Sequence, residues 1–135
     1  MAHLSAPTAL IVDDNYYNRD LCILALEHVG YSITEAENGL EAMRLLHHQS
    51  YTLLVLDLAM PELNGVEVIR KLRSESHHED MSIIVMTANP HMATSEVEVT
   101  ADFIMNKPIG IEEFARLAQR LAQGSVQSRS GAVGD

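Results

Sequence analysis

Short apolar segments alternate with longer amphipathic segments along this chain. These segments predict five β-strands, at residues 8–12, 31–36, 51–56, 82–86 and 103–106. Between and after them, apolar residues recur every three or four positions, which predicts helices at residues 16–29, 40–48, about 66–72, and 111–121. In the first helix the recurring apolar positions include Leu21 and Leu24, and Gly30 indicates where that helix ends.

This order of elements predicts an α/β fold. Strands that are apolar throughout and alternate with helices are typical of a parallel sheet with both faces covered. Right-handed crossovers then give a doubly wound, five-stranded sheet, for which we expect the flavodoxin-like strand order 2-1-3-4-5 with helices on both faces. In such a sheet the ligand crevice lies outside the carboxyl ends of the strands.

Polar residues stand at the ends of four of the predicted strands, where that crevice is expected. They are Asp13 and Asp14, Asp57, Thr87, and Lys107. Three carboxylates in one place repel one another unless a cation lies between them, and oxygen ligands without Cys or paired His favour Mg²⁺ over zinc. Aspartate can accept a phosphoryl group covalently, and phosphoryl transfer needs cations and hydrogen-bond donors around its oxygens. The pattern therefore predicts phosphoryl chemistry at Asp57.

Composition narrows the classes of partner. The chain has 135 residues and a formal net charge of −10, so we expect no direct binding to nucleic acid. No apolar run approaches the roughly 20 residues that span a bilayer, and the N-terminus does not resemble a secretory signal. The single cysteine, Cys22, excludes an intrachain disulfide, which fits a cytoplasmic location, and we expect it at a core or boundary position. We expect the histidines, including the pairs at 47–48 and 77–78, at the surface.

These residue types, in this order, resemble the signature of the response-regulator receiver domain of two-component signalling. The residues that carry the resemblance are Asp13-Asp14, Asp57 with Met60-Pro61 and Gly65, Thr87-Ala88, and Lys107-Pro108. The segment 13–19, Asp-Asp-Asn-Tyr-Tyr-Asn-Arg, is similar to receivers found in or with hybrid sensor histidine kinases. We expect an N-terminal extension at 1–7, a receiver domain at 8–123, and a flexible tail or linker at 124–135.

The resemblance implies a metal site and a phosphoacceptor. Asp57 would accept the phosphoryl group. Asp14 and Asp57 would bind Mg²⁺, for which Mn²⁺ could substitute, and the main-chain carbonyl of Ala59 would complete the protein ligands. Asp13 would act mainly through a metal-bound water.

The resemblance also implies roles for two further residues and for one peptide bond. Lys107 would pair with the phosphoryl oxygens, and Thr87 would move to hydrogen-bond the attached phosphoryl group. The Lys107–Pro108 peptide would be cis, an isomer that X-Pro bonds adopt at modest cost.

The function implied is a phosphorylation switch rather than a turnover enzyme. A histidine kinase or histidine phosphotransfer protein would phosphorylate Asp57 and so change binding to a downstream protein, in a stand-alone regulator or in a longer protein. Two alternatives stay open. An Asp-nucleophile phosphohydrolase usually carries a second Asp two residues after the nucleophile, where this chain has Ala59. A pseudo-receiver would bind partners without accepting phosphate.

Two departures from the family pattern affect the expected output. Where many receivers have Tyr or Phe this chain has Ile104, with Phe103 expected on the opposite face of the strand. The segment 89–100 is short and rich in β-branched residues, and Val97 and Val99 alternate with glutamates as in a strand. We therefore expect a fourth helix that is shortened, irregular or absent. A standard dimer through the fourth helix, fifth strand and last helix is disfavoured, and the oligomeric state stays undetermined.

Overall fold

The computed structural model describes residues 6–60, 62–75 and 78–124. The expected N-terminal extension at 1–7 and tail at 124–135 lie almost entirely outside these residues. Within the described part, every predicted strand and helix forms within about three residues of its predicted ends. None of the described helices is both long and apolar enough to cross a membrane.

Five parallel strands form one sheet in the order β2-β1-β3-β4-β5, as predicted. The strands are β1 (Thr8–Val12), β2 (Ser32–Ala36), β3 (Leu53–Asp57), β4 (Ser82–Thr87) and β5 (Phe103–Asn106). The register pairs Val12 with Leu56 and Asp57 with Met86, so the ends of β1, β3 and β4 lie side by side. The order of the strands reverses between β1 and β3, and that is where the polar strand ends meet.

Five α-helices and one 3₁₀ turn connect the strands. The helices are α1 (Tyr16–His28), α2 (Gly39–His48), α3 (Gly65–Arg73), α4 (Ser95–Thr100) and α5 (Ile111–Gly124), and the 3₁₀ turn is Pro90–Met92. Asn15, Asn38 and Asn64 cap the first three helices, because each side-chain oxygen accepts a backbone N–H three residues later. Gly30, just after α1, has φ +99°, the left-handed conformation that ends many helices.

The core has two layers, one on each face of the sheet. Leu10, Leu54 and Val85 pack on the face covered by α2, α3 and α4. The alternate strand residues pack on the other face, against α1 and α5, where Phe114 is fully buried. Side chains of successive strand residues point to opposite faces, so a strand buried on both faces must be apolar throughout. This arrangement confirms the prediction of a sheet with both faces covered.

The buried face of α1 differs from the sequence prediction. Leu21 and Leu24 are 48% and 58% exposed, whereas Arg19 and Cys22 are buried. The burial of Cys22 agrees with the prediction, whereas Leu21 and Leu24, which recur at helical spacing, do not lie on the face that meets the sheet. The apolar count alone could not distinguish two overlapping helical faces, and the face that meets the sheet includes a charged residue.

The fourth helix is shortened, as predicted, but it is a helix. α4 has six residues and begins at the cap Thr94, whose hydroxyl accepts the N–H of Val97 at 3.4 Å. The strand-like interpretation of the alternating valines was wrong, because Val97 is fully buried while Val99 is 72% exposed, as befits a helix with one covered face. α4 packs mainly against α3.

Two further side-chain predictions can be compared with the structure. Phe103 pairs in register with Ile84 and Ile104 with Val85, so the two lie on opposite faces of β5, as predicted. Among the described histidines, His78 contradicts the surface prediction. Its side chain is 7% exposed, and its Nε2 lies 2.7 Å from Oε1 of Glu75. The sequence pattern did not show that Glu75, just after α3, would be a hydrogen-bond partner of His78.

Candidate functional site

Three carboxylates converge at the carboxyl ends of β1 and β3. Asp13 and Asp14 directly follow β1, and Asp57 is the last residue of β3. One carboxylate oxygen from each of the three lies within 4.8 Å of the others. Asp13 and Asp57 are buried, whereas Asp14 is exposed. The parallel register brings these residues together, as the sequence predicted.

Every main-chain and side-chain polar group of Asp13 is engaged. Its N–H donates to the carbonyl of Ala36 at 3.2 Å, and its Oδ1 accepts the N–H of Asn15 at 2.8 Å. Its Oδ2 accepts a hydrogen bond from Nζ of Lys107 at 3.0 Å, and its carbonyl accepts one from Nη1 of Arg19 at 2.8 Å. Asp13 is therefore fixed in one orientation at the base of the site.

Asp57 is a buried carboxylate with two partners. Its Oδ2 lies 3.2 Å from Nζ of Lys107, and its Oδ1 accepts the N–H of Ala59 at 3.3 Å. Burial and, secondly, the negative charge of Asp13 raise the pKa of Asp57 to about 6, although Lys107 and the Ala59 N–H act in the opposite direction. A cation shared by the carboxylates would reduce the repulsion between Asp13 and Asp57 and so favour the ionised form of Asp57.

Lys107 joins the two buried carboxylates from the start of the loop after β5. Burial by itself would lower its pKa, but the hydrogen bond with Asp13 and the charges of both aspartates raise it above the usual value. Lys107 is therefore an ammonium ion at neutral pH. The peptide bond between Lys107 and Pro108 is cis, as the resemblance implied.

Thr87, the last residue of β4, is buried next to this cluster in the sheet. Its hydroxyl accepts the N–H of Asn89 and donates to the carbonyl of the same residue, each at 2.9 Å. Its own carbonyl accepts the N–H of Lys107 at 2.9 Å. The Thr87 hydroxyl is thus held by the loop that leads to α4, and is not bonded to Asp57.

The turn into α3 packs closely against the backbone of Asp57. The N–H of Gly65 donates to the carbonyl of Leu58 at 2.9 Å. A Cβ at position 65 would lie 2.5 Å from the carbonyl oxygen of Asp57 and 2.6 Å from Cα of Leu58, so only glycine fits without a shift. Gly65 therefore allows α3 to begin directly beside the acidic cluster.

The donor set fits a hard divalent cation. Asp13, Asp14 and Asp57 offer only carboxylate oxygens, the ligands that Mg²⁺ prefers. In the part of the chain that the structure describes, no histidine or cysteine joins this group. Burial raises the pKa of Asp57 first, and the neighbouring charge of Asp13 raises it further, so a cation at this cluster would favour the ionised carboxylate. The acidic cluster points to Mg²⁺ binding.

Sequence reasoning missed two residues of the site. Asn15 caps α1 and also donates its N–H to Asp13, and Arg19 holds the Asp13 carbonyl. A signal for Arg19 was available, because it precedes Cys22 and Leu26 by three and seven residues and so lies on their helical face. A charged residue at a core position of a helix indicates a buried partner.

Comparison with known proteins agrees with this geometry. The sequence model of the response regulator receiver domain family matches residues 9–119. The response regulator MprA of Mycobacterium sp. (strain KMS) is 35% identical over 119 residues, which cover 86% of this chain and 51% of that protein. The chain thus spans about half the length of MprA. An uncharacterised 14.6 kDa protein of Leptolyngbya boryana is 34% identical over 122 residues, covering 89% of this chain and 93% of that protein.

Solved structures with the same fold extend the comparison. The response regulator TrrA of Thermotoga maritima, solved in complex with Mg²⁺-BeF, is 32% identical with a TM-score of 0.75, and the match covers 85% of this chain and 98% of TrrA. The receiver domain of a signal transduction histidine kinase from Syntrophus aciditrophicus is 29% identical with a TM-score of 0.79, covering 88% of this chain and 92% of that domain.

Proposed function

This chain belongs to the response regulator receiver domain family, and we propose that it is a switch whose Asp57 is phosphorylated in a Mg²⁺-dependent reaction. Members of this family are signalling modules rather than classical enzymes. The observation that carries the proposal is the position of Lys107. Its Nζ lies 3.0 Å from Asp13 and 3.2 Å from Asp57, so one cation touches the proposed nucleophile and its acidic neighbour.

The proposed donor is a phosphohistidine of a histidine kinase or of a histidine phosphotransfer protein. A carboxylate oxygen of Asp57 forms a bond to phosphorus while the bond from phosphorus to the donor's imidazole nitrogen breaks. The imidazole keeps that electron pair and takes up a proton. Burial of Asp57 favours this step, because a poorly solvated carboxylate is a stronger nucleophile than a hydrated one.

We propose that Asp14, Asp57 and the Ala59 carbonyl hold Mg²⁺, or Mn²⁺ as a substitute, with Asp13 acting through a water. When bound, the metal supplies positive charge that offsets the carboxylates and the phosphoryl oxygens. The protein itself would contribute hydrogen-bond donors held in position around Asp57. The backbone N–H of Ala59, which now donates to Asp57, is placed to donate to an oxygen attached there.

Lys107 and Thr87 would act on the attached phosphoryl group. Lys107 is already within 3.2 Å of Asp57 Oδ2 and would exchange part of that contact for a phosphoryl oxygen. The Thr87 hydroxyl would leave Asn89 and turn towards the phosphoryl group. Because Asn89 begins the turn that leads to α4, this movement would pass the change to the 88–101 segment.

We further propose a cytoplasmic receiver domain over residues 8–123 that signals to a downstream protein. The 35% identical MprA is a response regulator, and the neighbour from Syntrophus aciditrophicus is the receiver of a histidine kinase. Both kinds of setting, a separate regulator and a receiver joined to a kinase, suit this domain. The formal charge of −10 argues against direct contact with nucleic acid.

A phosphohydrolase has less support. Ala59 stands where such an enzyme would need a carboxylic acid, and its methyl group cannot transfer a proton. A pseudo-receiver also has little support, because Asp13, Asp14, Asp57 and Lys107 converge.

The test is phosphorylation by a small donor. The protein is incubated with acetyl phosphate in Mg²⁺ or in EDTA, and its intact mass is measured. One phosphate adduct is expected with Mg²⁺ only, and none in Asp57→Asn. Asp20→Asn, an exposed aspartate on α1, is the matched control and should behave as wild type. Turnover of phosphate esters without an adduct would favour the hydrolase, and no reaction would favour the pseudo-receiver.

A further inference from the structure

Among the described residues, Arg19 is the only lysine or arginine that is buried, with 7% of its surface exposed. Burying a guanidinium is costly unless its donors find partners. Arg19 lies on α1, next to the acidic cluster, and no step of the proposed phosphotransfer uses it. A role for Arg19 must therefore come from the groups that its guanidinium contacts.

The Arg19 guanidinium has two hydrogen-bond partners. Nη1 donates to the main-chain carbonyl of Asp13 at 2.8 Å, and Nε donates to Oε1 of Glu35 on β2 at 3.0 Å. The ring of Tyr16 lies over the guanidinium, with its centroid 5.9 Å from the central carbon. Glu35 and Tyr16 hold the guanidinium in place, with its Nη1 aimed at the Asp13 carbonyl.

The contact with Asp13 matters because of the next residue. The carbonyl of Asp13 belongs to the peptide that leads to Asp14, the exposed carboxylate of the cluster. The Asp13 N–H and both its carboxylate oxygens have partners elsewhere. Arg19 thus fixes the carbonyl end of this peptide, and with it the direction from which Asp14 enters the site.

We propose that Arg19 is a positioning residue for the divalent cation, acting through the Asp13–Asp14 peptide. The inference rests on the proposed function, since it assumes that the acidic cluster binds Mg²⁺. Groups that orient metal ligands typically change metal affinity by about 10- to 100-fold when removed. Without Arg19, the Asp13 carbonyl loses its partner and the peptide can rotate, so Asp14 no longer approaches in the binding orientation.

The direction in which Mg²⁺ affinity changes on removing Arg19 distinguishes this role from simple electrostatics. Arg19 is a cation near a cation site, so Coulomb repulsion alone predicts that neutralising it strengthens Mg²⁺ binding. The positioning role predicts that Mg²⁺ binding weakens. A role limited to tying α1 to β2 predicts a third result, in which loss of Glu35 has the same effect as loss of Arg19.

The experiment is a Mg²⁺ titration of the full chain, followed by the ¹⁵N–¹H amide shifts of Asp14 and Asn15. It compares wild type with Arg19→Gln, Arg19→Lys and Glu35→Gln. Arg19→Gln should weaken Mg²⁺ binding by about tenfold or more and shift the Asp14 amide even without Mg²⁺. Arg19→Lys keeps the charge and one donor, so its affinity should fall between those of wild type and Arg19→Gln. Glu35→Gln keeps the Asp13 contact and should stay within about threefold of wild type.

Each outcome bears on the proposal. Equal or tighter Mg²⁺ binding by Arg19→Gln, or equal weakening by Glu35→Gln, would overturn it. Thermal unfolding in EDTA checks that the variants fold. If Arg19→Gln does not fold, Arg19→Lys decides, and wild-type affinity in that variant would contradict the proposal. If wild type itself does not bind Mg²⁺, it is the proposed function that fails, which separates the two failures.

Discussion

The hydroxyl of Thr87 makes two 2.9 Å hydrogen bonds with one residue, accepting the N–H of Asn89 and donating to its carbonyl. Thr87 ends β4, and Asn89 caps the 3₁₀ turn before α4 through its side-chain oxygen. A movement of the hydroxyl towards Asp57 must break both bonds, and the geometry of the turn then loses a constraint. This pair connects the end of β4, beside the acidic cluster, with the 88–101 segment.

Replacing the Thr87 hydroxyl should separate phosphorylation from the response to it. Thr87→Val removes both bonds to Asn89 but leaves the carboxylates and Lys107 in place. We expect the acetyl phosphate adduct to form still, while phosphorylation-induced amide shifts across residues 89–100 shrink. Thr87→Ser, which keeps the hydroxyl, is the control and should respond as wild type. Full-sized shifts in Thr87→Val would contradict the proposed link.

Removing the charge of Lys107 should slow phosphorylation without weakening metal binding. Lys107→Gln takes away the cation between Asp13 and Asp57, so the phosphorylation rate should fall by about 10²-fold, as for loss of other preorganised charge-stabilising groups. Mg²⁺ affinity should stay the same or rise, because a competing cation is gone. Lys71→Gln, exposed on α3, is the matched control for both measurements.

Asp57→Asn should stabilise the metal-free protein, and more so at higher pH. The folded-state pKa of Asp57 is raised to about 6, above the ordinary carboxyl value of 3.8. A raised pKa means that the stability linked to the protonated form is present below pH 3.8 and is lost as the pH rises through about 6. At about pH 7.5 the ionised Asp57 therefore destabilises the fold by about 1–3 kcal/mol.

Urea unfolding in EDTA measures this effect. The gain in free energy of unfolding on Asp57→Asn should be largest near pH 7.5 and should shrink towards about pH 5. Added Mg²⁺ should stabilise wild type more than the variant. Asp20→Asn, which replaces an exposed aspartate, is the control. A gain that grows as the pH falls would contradict the raised pKa.

The short helix α4 depends on one buried side chain. Val97 is fully buried beside α3, so Val97→Ala should lower the free energy of unfolding by about 1–3 kcal/mol and speed hydrogen exchange across α4. Val99→Ala changes the same residue type on the same helix, but Val99 is 72% exposed. It should change stability by no more than about 0.5 kcal/mol. Similar losses in the two variants would contradict the one-sided packing of α4.

The strands and the acidic cluster could be predicted because both follow from simple rules. A strand covered on both faces has to be apolar throughout, and parallel strands bring their polar ends to one edge. Asp13, Asp14 and Asp57 follow directly from these two facts. The observed strand order is the one predicted, and the three carboxylates do lie together.

What escaped prediction depended on packing between distant segments. The face of α1 that meets the rest of the fold carries the buried Arg19, whereas Leu21 and Leu24 are exposed, although all three lie on the same helix. The alternation around Val97 fitted a strand locally, but packing on α3 favours a helical turn. The low exposure of the His78 side chain, 7%, is a separate case, because its hydrogen-bond partner Glu75 lies only three residues earlier.

The identity of the phosphorylated residue tests the central claim most directly. After reaction with acetyl phosphate and Mg²⁺, borohydride reduces an aspartyl phosphate to homoserine, and peptide mass spectrometry locates the changed residue. We predict homoserine at position 57 and nowhere else, with none formed in EDTA. Homoserine at Asp13 or Asp14, or an unmodified Asp57 in protein that carries a phosphate, would contradict the account.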